Sequence, residues 1–198
     1  FWVQGYDFNV LDEEGNYDPA ASSKKLAKYL NKWKKRAKEL SGSDYYKITT
    51  VKTMADQVLE GGTAYMSDGM YSDEFVEKSL KGDSETNNIW AGKDDLMQQS
   101  MEFAAENGFN YHIHTIGDAA VTMALDNLEK VAAEYPELKE NNRVSLAHCQ
   151  FINDNDKQRM ADLGVSAIVA PYWACMDDYY WNVYLPIMSS KDKLDTQY

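Results

Sequence analysis

From Lys93 to Pro171 the chain switches repeatedly between two hydrophobic periods, and this restricts the fold more than any other feature. Lys93–Asn107 carries Leu96, Met97, Met101 and Ala104 at helical spacing, and Gly108 follows as a C-terminal cap. Phe109–Thr115 reads as a strand. Ala119–Tyr135 sets Val121, Leu125, Leu128 and Val131 on one helical stripe. Arg143–Cys149 reads as the next strand, Asp154–Leu163 as a helix closed by Gly164, and Val165–Ala170 as a strand stopped by Pro171. Strands that alternate with helices in this way pair in parallel through right-handed crossovers. The expected fold class is therefore α/β, a parallel sheet with flanking helices.

The front half is less regular. Phe1–Val10 is expected to include a strand. Ala20–Leu40 reads as a helix, with Leu26, Leu30, Trp33, Ala37 and Leu40 facing inward. Lys24–Lys38 holds eight of the 20 basic residues and no acid. The pattern favours a solvated outer face over docking on an acidic surface or on membrane phosphates. Tyr45–Met54 reads as a strand rich in Tyr, Ile, Thr and Val. Residues 57–93 form a long polar, Gly-containing connection with a short helix near Ser72–Leu80, and such connections often serve as lids. An aromatic stretch, Tyr172–Tyr184, either lines a pocket for an apolar substrate or is surface left bare by missing strands. Ser189–Tyr198 reads as a loose polar tail. The expected organisation is an N-terminal segment over 1–44, a catalytic core over 45–175 and an aromatic segment with tail over 176–198.

Composition limits the partners. A net charge of −12 disfavours nucleic acid. No apolar run is long enough to span a bilayer, so no membrane partner is expected. The two cysteines, Cys149 and Cys175, lack the spacing of a disulfide framework or zinc finger, so a reducing cytoplasm is the expected compartment. There is no Gly-rich phosphate loop and no nucleophile elbow.

Two of the three histidines lie in Asn110–Asp118, NYHIHTIGD. Strand alternation places His112 and His114 on one face. Ile116–Asp118 then turns the chain, and Asp118 is expected to cap the following helix. Lys52, His114, His148 and Pro171 all fall at C-terminal strand ends, which form the rim where parallel α/β folds bind ligands. Taken alone, a strand-end histidine reads as a hydrogen-bonded core residue, and Lys52 as a lysine facing water or paired with Asp56. Two histidines on successive strands, after a strand-end lysine, read instead as a ligand set. Cys149 is adjacent to His148 and should point to the opposite face, which argues against a Cys–His pair.

Three segments, in order, resemble the amidohydrolase superfamily, and within it amidohydrolase family 3, which includes formamide deformylase-like enzymes. Val51–Asp56 (VKTMAD) is similar to that family's Val-Lys-x-x-x-Asp-Gly strand. His114–Val121 (HTIGDAAV) is similar to its His-Ala-Ile-Gly-Asp segment. Arg143–Gln150 (RVSLAHCQ) and Leu163–Pro171 are similar to its Arg-Ile-Glu-His-Ala-Gln segment and the strand that follows. The resemblance implies a partial (β/α) TIM barrel of the metal-dependent hydrolase type, about strands four to seven. It implies a divalent metal, most often zinc, held at the rim. Lys52 matches the lysine that can be carboxylated, and His114 and His148 match the metal-binding histidines. Asp56, Asp118 and His112 are possible supports. The implied reaction is hydrolysis of a C–N bond in a small-molecule, non-peptide amide.

The departures are specific. The family's first-strand His-x-His pair and last-strand Asp have no counterpart here. The expected Asp-Gly is Asp56-Gln57, the Glu before the second histidine is Ala147, and the Gln before the strand-seven proline is Ala170. The chain opens on Phe1 without Met and is expected to be the middle of a longer enzyme, inactive alone, that self-associates or pairs with the rest of its barrel. The alternative is a non-enzymatic binding or regulatory module on a degenerate amidohydrolase scaffold.

Overall fold

The computed structural model describes residues 1–82, 87–140 and 143–197. Five strands form one sheet: β1 (Trp2–Val3), β2 (Thr50–Met54), β3 (Asn110–Thr115), β4 (Val144–His148) and β5 (Ser166–Ile168). All four pairings are parallel, and the spatial order follows the sequence order. A sheet that grows strand by strand in one direction is a segment of barrel wall; a doubly wound sheet reverses partway. The crossovers are α2 (Pro19–Glu39), α4 (Asp94–Glu106), α5 (Asp118–Glu134) and α6 (Asp154–Asp162), with short helices α1 (Gly5–Phe8) and α3 (Asp73–Ser79) in the connections.

Three of the helices start on side-chain caps. Asp18 caps α2 by accepting the Ala21 N–H, Ser72 caps α3 through Phe75, and Asn153 caps α6 through Asp156. Val51, Thr53, Tyr111, Ile113, Val144 and Leu146 alternate onto the helix-facing side of the sheet, where all are buried. There they meet Leu96, Met97, Met101, Val121, Leu125 and Leu128. Full burial of each such aliphatic side chain contributes about 1.5–3 kcal/mol. On the other face, Lys52, Met54, His112 and Ser145 are only half-buried. One face of the sheet is thus covered, and the other, a barrel's interior, is partly open, with His114 and Ala147 buried toward its C-terminal end.

The lysines of α2 point to solvent, as its pattern predicts, and Leu26 and Leu30 point inward. β2 is shorter than expected. Its pairing with β3 begins at Thr50 and Asn110, so the stretch before Thr50 has no strand beside it, and Tyr45 is 99% exposed.

The connection after β2 is not uniformly polar. Leu59, Ala64, Met66, Met70, Tyr71 and Leu80 build a second core with Ile116, Phe151, Tyr180, Tyr184, Met188 and Leu194. This makes the connection a packed wall instead of a loose flap. The C-terminal stretch also departs from the loose tail expected. A turn of π-helix (Tyr180–Tyr184) runs into α7 (Leu185–Ile187), and α8 (Lys191–Gln197) follows. Leu194 of α8 is fully buried in the second core, which is what holds the helix down. Among the described residues, no helix is long and apolar enough to cross a membrane.

Candidate functional site

The open face and C-terminal rim of the sheet gather the residues singled out by sequence. Lys52 on β2 stands opposite His112 on β3, and His114 stands between Met54 and Ala147. Matching register puts these side chains on the same face. His148 is different. It pairs with Thr115, whose side chain is buried on the helix side, so plain alternation would send His148 there too. Instead the backbone turns left-handed, with φ of +76° at His148 and +47° at Cys149. The imidazole of His148 therefore swings to the rim, its ring centre 4.5 Å from that of His114 at an interplanar angle of 64°. Left-handed backbone at a non-glycine residue costs of the order of 1–3 kcal/mol and collects at functional sites.

Cys149 takes the opposite side, as adjacency predicts. Its Sγ lies 3.8 Å from Thr115 Oγ1 and 3.5 Å from the Leu146 carbonyl oxygen. Burial pushes this thiol up to about 11. It is no nucleophile for His148.

The protonation states follow from burial. His114 is 8% exposed, and desolvation pulls its pKa down to about 4. Its Nε2 is 2.9 Å from the Gln57 carbonyl oxygen, which can only accept. The neutral ring therefore carries its proton on Nε2 and keeps the lone pair on Nδ1. A histidine anchored in this way to a backbone carbonyl is oriented as metal-binding histidines are. His112 and His148 are also shifted downward, first by burial and then by the charge of Lys52. Lys52 itself is pulled down to about 8 by burial. Its field reaches all three imidazoles, so the four groups share one neighbourhood.

Asp56 and Asp118 do other work than sequence suggested. Asp56 is fully buried and does not pair with Lys52. Its carboxylate accepts the backbone N–H groups of Tyr65 at 3.0 Å, Ile116 at 2.9 Å and Gly117 at 2.8 Å. Burial raises its pKa to about 7, against the pull of those three donors. Its Oδ1 stands 3.8 Å from His114 Nε2, beyond hydrogen-bond reach. Asp118 is the first residue of α5 and not its cap; Gly117 holds the cap position without a side-chain bond. The Asp118 carboxylate turns to Ser67 and accepts both its backbone N–H, at 2.9 Å, and its hydroxyl. Together the two aspartates pin the connection after β2 to the end of β3. The close approach explains the glycine between them, since a Cβ on Gly117 would lie 1.9 Å from the Tyr65 carbonyl oxygen.

Sequence reasoning missed two partners. Trp173, inside the aromatic stretch read from sequence as a candidate pocket lining, stacks on His148 at 4.5 Å and 8°, a contact that the sequence pattern did not specify. Ser145 bonds His112 Nδ1 at 2.7 Å; its register opposite that histidine shows only once β3 and β4 pair.

The donor chemistry fits one side of a metal centre. His114 and His148 bring two neutral imidazoles together, the ligand type zinc favours, with Lys52 close by. Among the described residues, no group of three or more His, Cys, Asp or Glu side chains is placed to hold one ion. Closed or catalytic zinc sites use three or four protein ligands, so this set is partial.

A family model described as "Amidohydrolase family" matches residues 6–187. The "Putative amidohydrolase YtcJ" of Bacillus subtilis (strain 168) is 25% identical over 148 residues, 75% of this chain and 25% of that protein. A crystal structure of an uncharacterized metal-dependent hydrolase from Pyrococcus furiosus superposes with a TM-score of 0.57 at 18% identity, over 90% of this chain and 37% of that one. Its counterpart from Pyrococcus horikoshii OT3 gives 0.54 at 18% identity, over 89% and 37%. This likeness is one of fold. The chain spans a quarter of the curated relative and a little over a third of the solved structures.

Proposed function

Because this chain belongs to the amidohydrolase family, we propose that it contributes one wall of the active site of a metal-dependent hydrolase acting on a C–N bond of a non-peptide amide. The observation that carries this reading is the left-handed turn at His148, which places its imidazole beside that of His114 at a backbone cost. A structural histidine has no need of that turn.

In this reading His114 and His148 hold a divalent cation, zinc being the best match to imidazole donors. Such a cation supplies Lewis acidity and brings the pKa of water near 7. Lys52 would serve as a third donor after its neutral amine adds to carbon dioxide: the N–C bond forms as one C=O π bond of carbon dioxide breaks, that electron pair moves onto oxygen, the Nζ proton passes to solvent water, and a carbamate oxygen becomes available. Burial favours the neutral amine this addition needs. The Gln57 carbonyl holds the His114 tautomer, and Asp56 and Asp118 keep that carbonyl's loop against β3. The remaining donors come from sequence beyond these 198 residues, since the chain covers so small a share of its relatives. The same reading puts the protein in a reducing cytoplasm and expects the open sheet face to drive self-association or pairing with the rest of its barrel.

The test is elemental analysis of the full-length protein. About one or two bound zinc ions are expected, lost in His114→Ala and His148→Ala. A metal-free full-length protein with its fold intact would favour the rival, a non-enzymatic binding module on this scaffold.

A further inference from the structure

Beside the histidine pair lies a cavity of about 320 Å³ walled by Glu60, Tyr172, Trp173, Asp177, Tyr179 and Tyr184. Four walls are aromatic and two are carboxylates; among the described residues, no lysine or arginine lines it. Among the described residues, neither Glu60 nor Asp177 takes part in a salt bridge. Three of the four rings are held in place, and the fourth, Tyr172, is largely exposed. Tyr179 and Tyr184 meet edge to face with centroids 6.0 Å apart, and Trp173 is stacked on His148. Asp177 is oriented too, because its Oδ1 accepts the backbone N–H groups of Tyr179 at 2.9 Å and Tyr180 at 3.3 Å. Burial raises the pKa of the Tyr184 phenol, and the charges of both Glu60 and Asp177 add to that, so the two carboxylates act on one spot.

Ring faces attract cations, and uncompensated carboxylates add a net negative potential. An apolar substrate group would use the rings and gain nothing from the charges. We propose that this cavity is a subsite for an alkylammonium group on the substrate. This deepens the hydrolase reading and rests on it: Trp173 is shared by the cavity and the histidine pair, so a substrate seated here by its cationic end presents its amide toward His148 and His114.

The test uses the full-length protein and two isosteric probes, choline and the neutral 3,3-dimethylbutan-1-ol, titrated by calorimetry and by Trp fluorescence. Choline is expected to bind about tenfold tighter than the neutral alcohol, the scale of a partly desolvated cation–π contact plus one carboxylate. Glu60→Gln should weaken choline about fivefold and leave the alcohol unchanged. Tyr179→Leu should weaken choline and reduce the discrimination. Equal binding of the two probes, no saturable binding, or no change in Glu60→Gln overturns the proposal. These readouts need no turnover. Choline discrimination in a protein without metal or hydrolysis would refute the hydrolase reading alone. Hydrolysis with no preference for cationic over neutral amides would refute the subsite alone.

Discussion

Gly117→Ala is the sharpest test of how the site is assembled. Gly117 has φ of −78° and ψ of 152°, a conformation open to any residue, so alanine pays no backbone penalty there. Its cost is purely one of space. The added Cβ would stand 1.9 Å from the Tyr65 carbonyl oxygen, 2.5 Å from its carbon and 3.0 Å from Met66 Sδ. Backbone cannot yield as a side-chain tip does, so the segment around Tyr65 must move away. That movement strains the Ala120 N–H bond to the Tyr65 carbonyl and the Tyr65 N–H bond to buried Asp56. Overpacking costs about 1–3 kcal/mol, and weakening a bond to a buried charged group adds about 1.5–3 kcal/mol. The expected loss is therefore about 3–5 kcal/mol, or about 10 °C in Tm for a domain of this size. Urea unfolding followed by circular dichroism measures it. Gly108→Ala is the control. Gly108 has φ of +70° with nothing within 4 Å of an added Cβ, so it should lose only the conformational cost of about 1–2 kcal/mol. If Gly117→Ala costs less than about 1 kcal/mol, or less than Gly108→Ala, the close approach of Tyr65 is wrong.

Leu194→Ala should cost about 2–5 kcal/mol and expose α8 to proteolysis, because this fully buried side chain anchors the helix; an unchanged digestion pattern would contradict that anchoring. Thiol titration at pH 8 should find exposed Cys175 reactive and Cys149, with its thiol pushed up to about 11, silent until denaturant is added. Equal reaction rates for the two would refute the burial of Cys149. In metal-free protein, His114 has a folded pKa of about 4 against about 6.5 when unfolded. Between those values the unfolded chain binds a proton at this residue that the native chain does not, so the His114 contribution is complete above about pH 6.5 and is lost as pH drops toward 4, while Asp56, raised to about 7, acts in the opposite sense over the same range. The His114 share is of the order of 3 kcal/mol, so His114→Asn should gain stability relative to the wild type as pH falls from about 6.5 to 4; a stability difference that stays constant over that range would show that His114 does not titrate this way.

What the chain states locally, it states well. Helical stripes such as Val121, Leu125 and Leu128, and strand-period runs such as NYHIH, make α4, β3, α5, β4, α6 and β5 readable in order. Their alternation alone requires a parallel sheet whose strand ends share one rim, with His114 and His148 near the ends of β3 and β4, since handed crossovers leave no other simple route. Lys52, expected at a strand end, instead sits mid-strand in β2 opposite His112, because β2 runs on to Met54. The family motifs were legible for the same reason: each is a short segment carrying its own pattern. Tertiary structure decided the rest, because it depends on partners far along the chain. β2 starts at Thr50 because β3 offers no strand beside it any earlier. Asp118 serves Ser67 and Asp56 serves Tyr65 because a distant loop brings N–H groups to them. Leu194 fixes a helix in what reads as a tail because the second core has room for it. The turn that carries His148 across to His114 breaks the alternation rule outright, and no local period encodes an exception that only the assembled rim can stabilise.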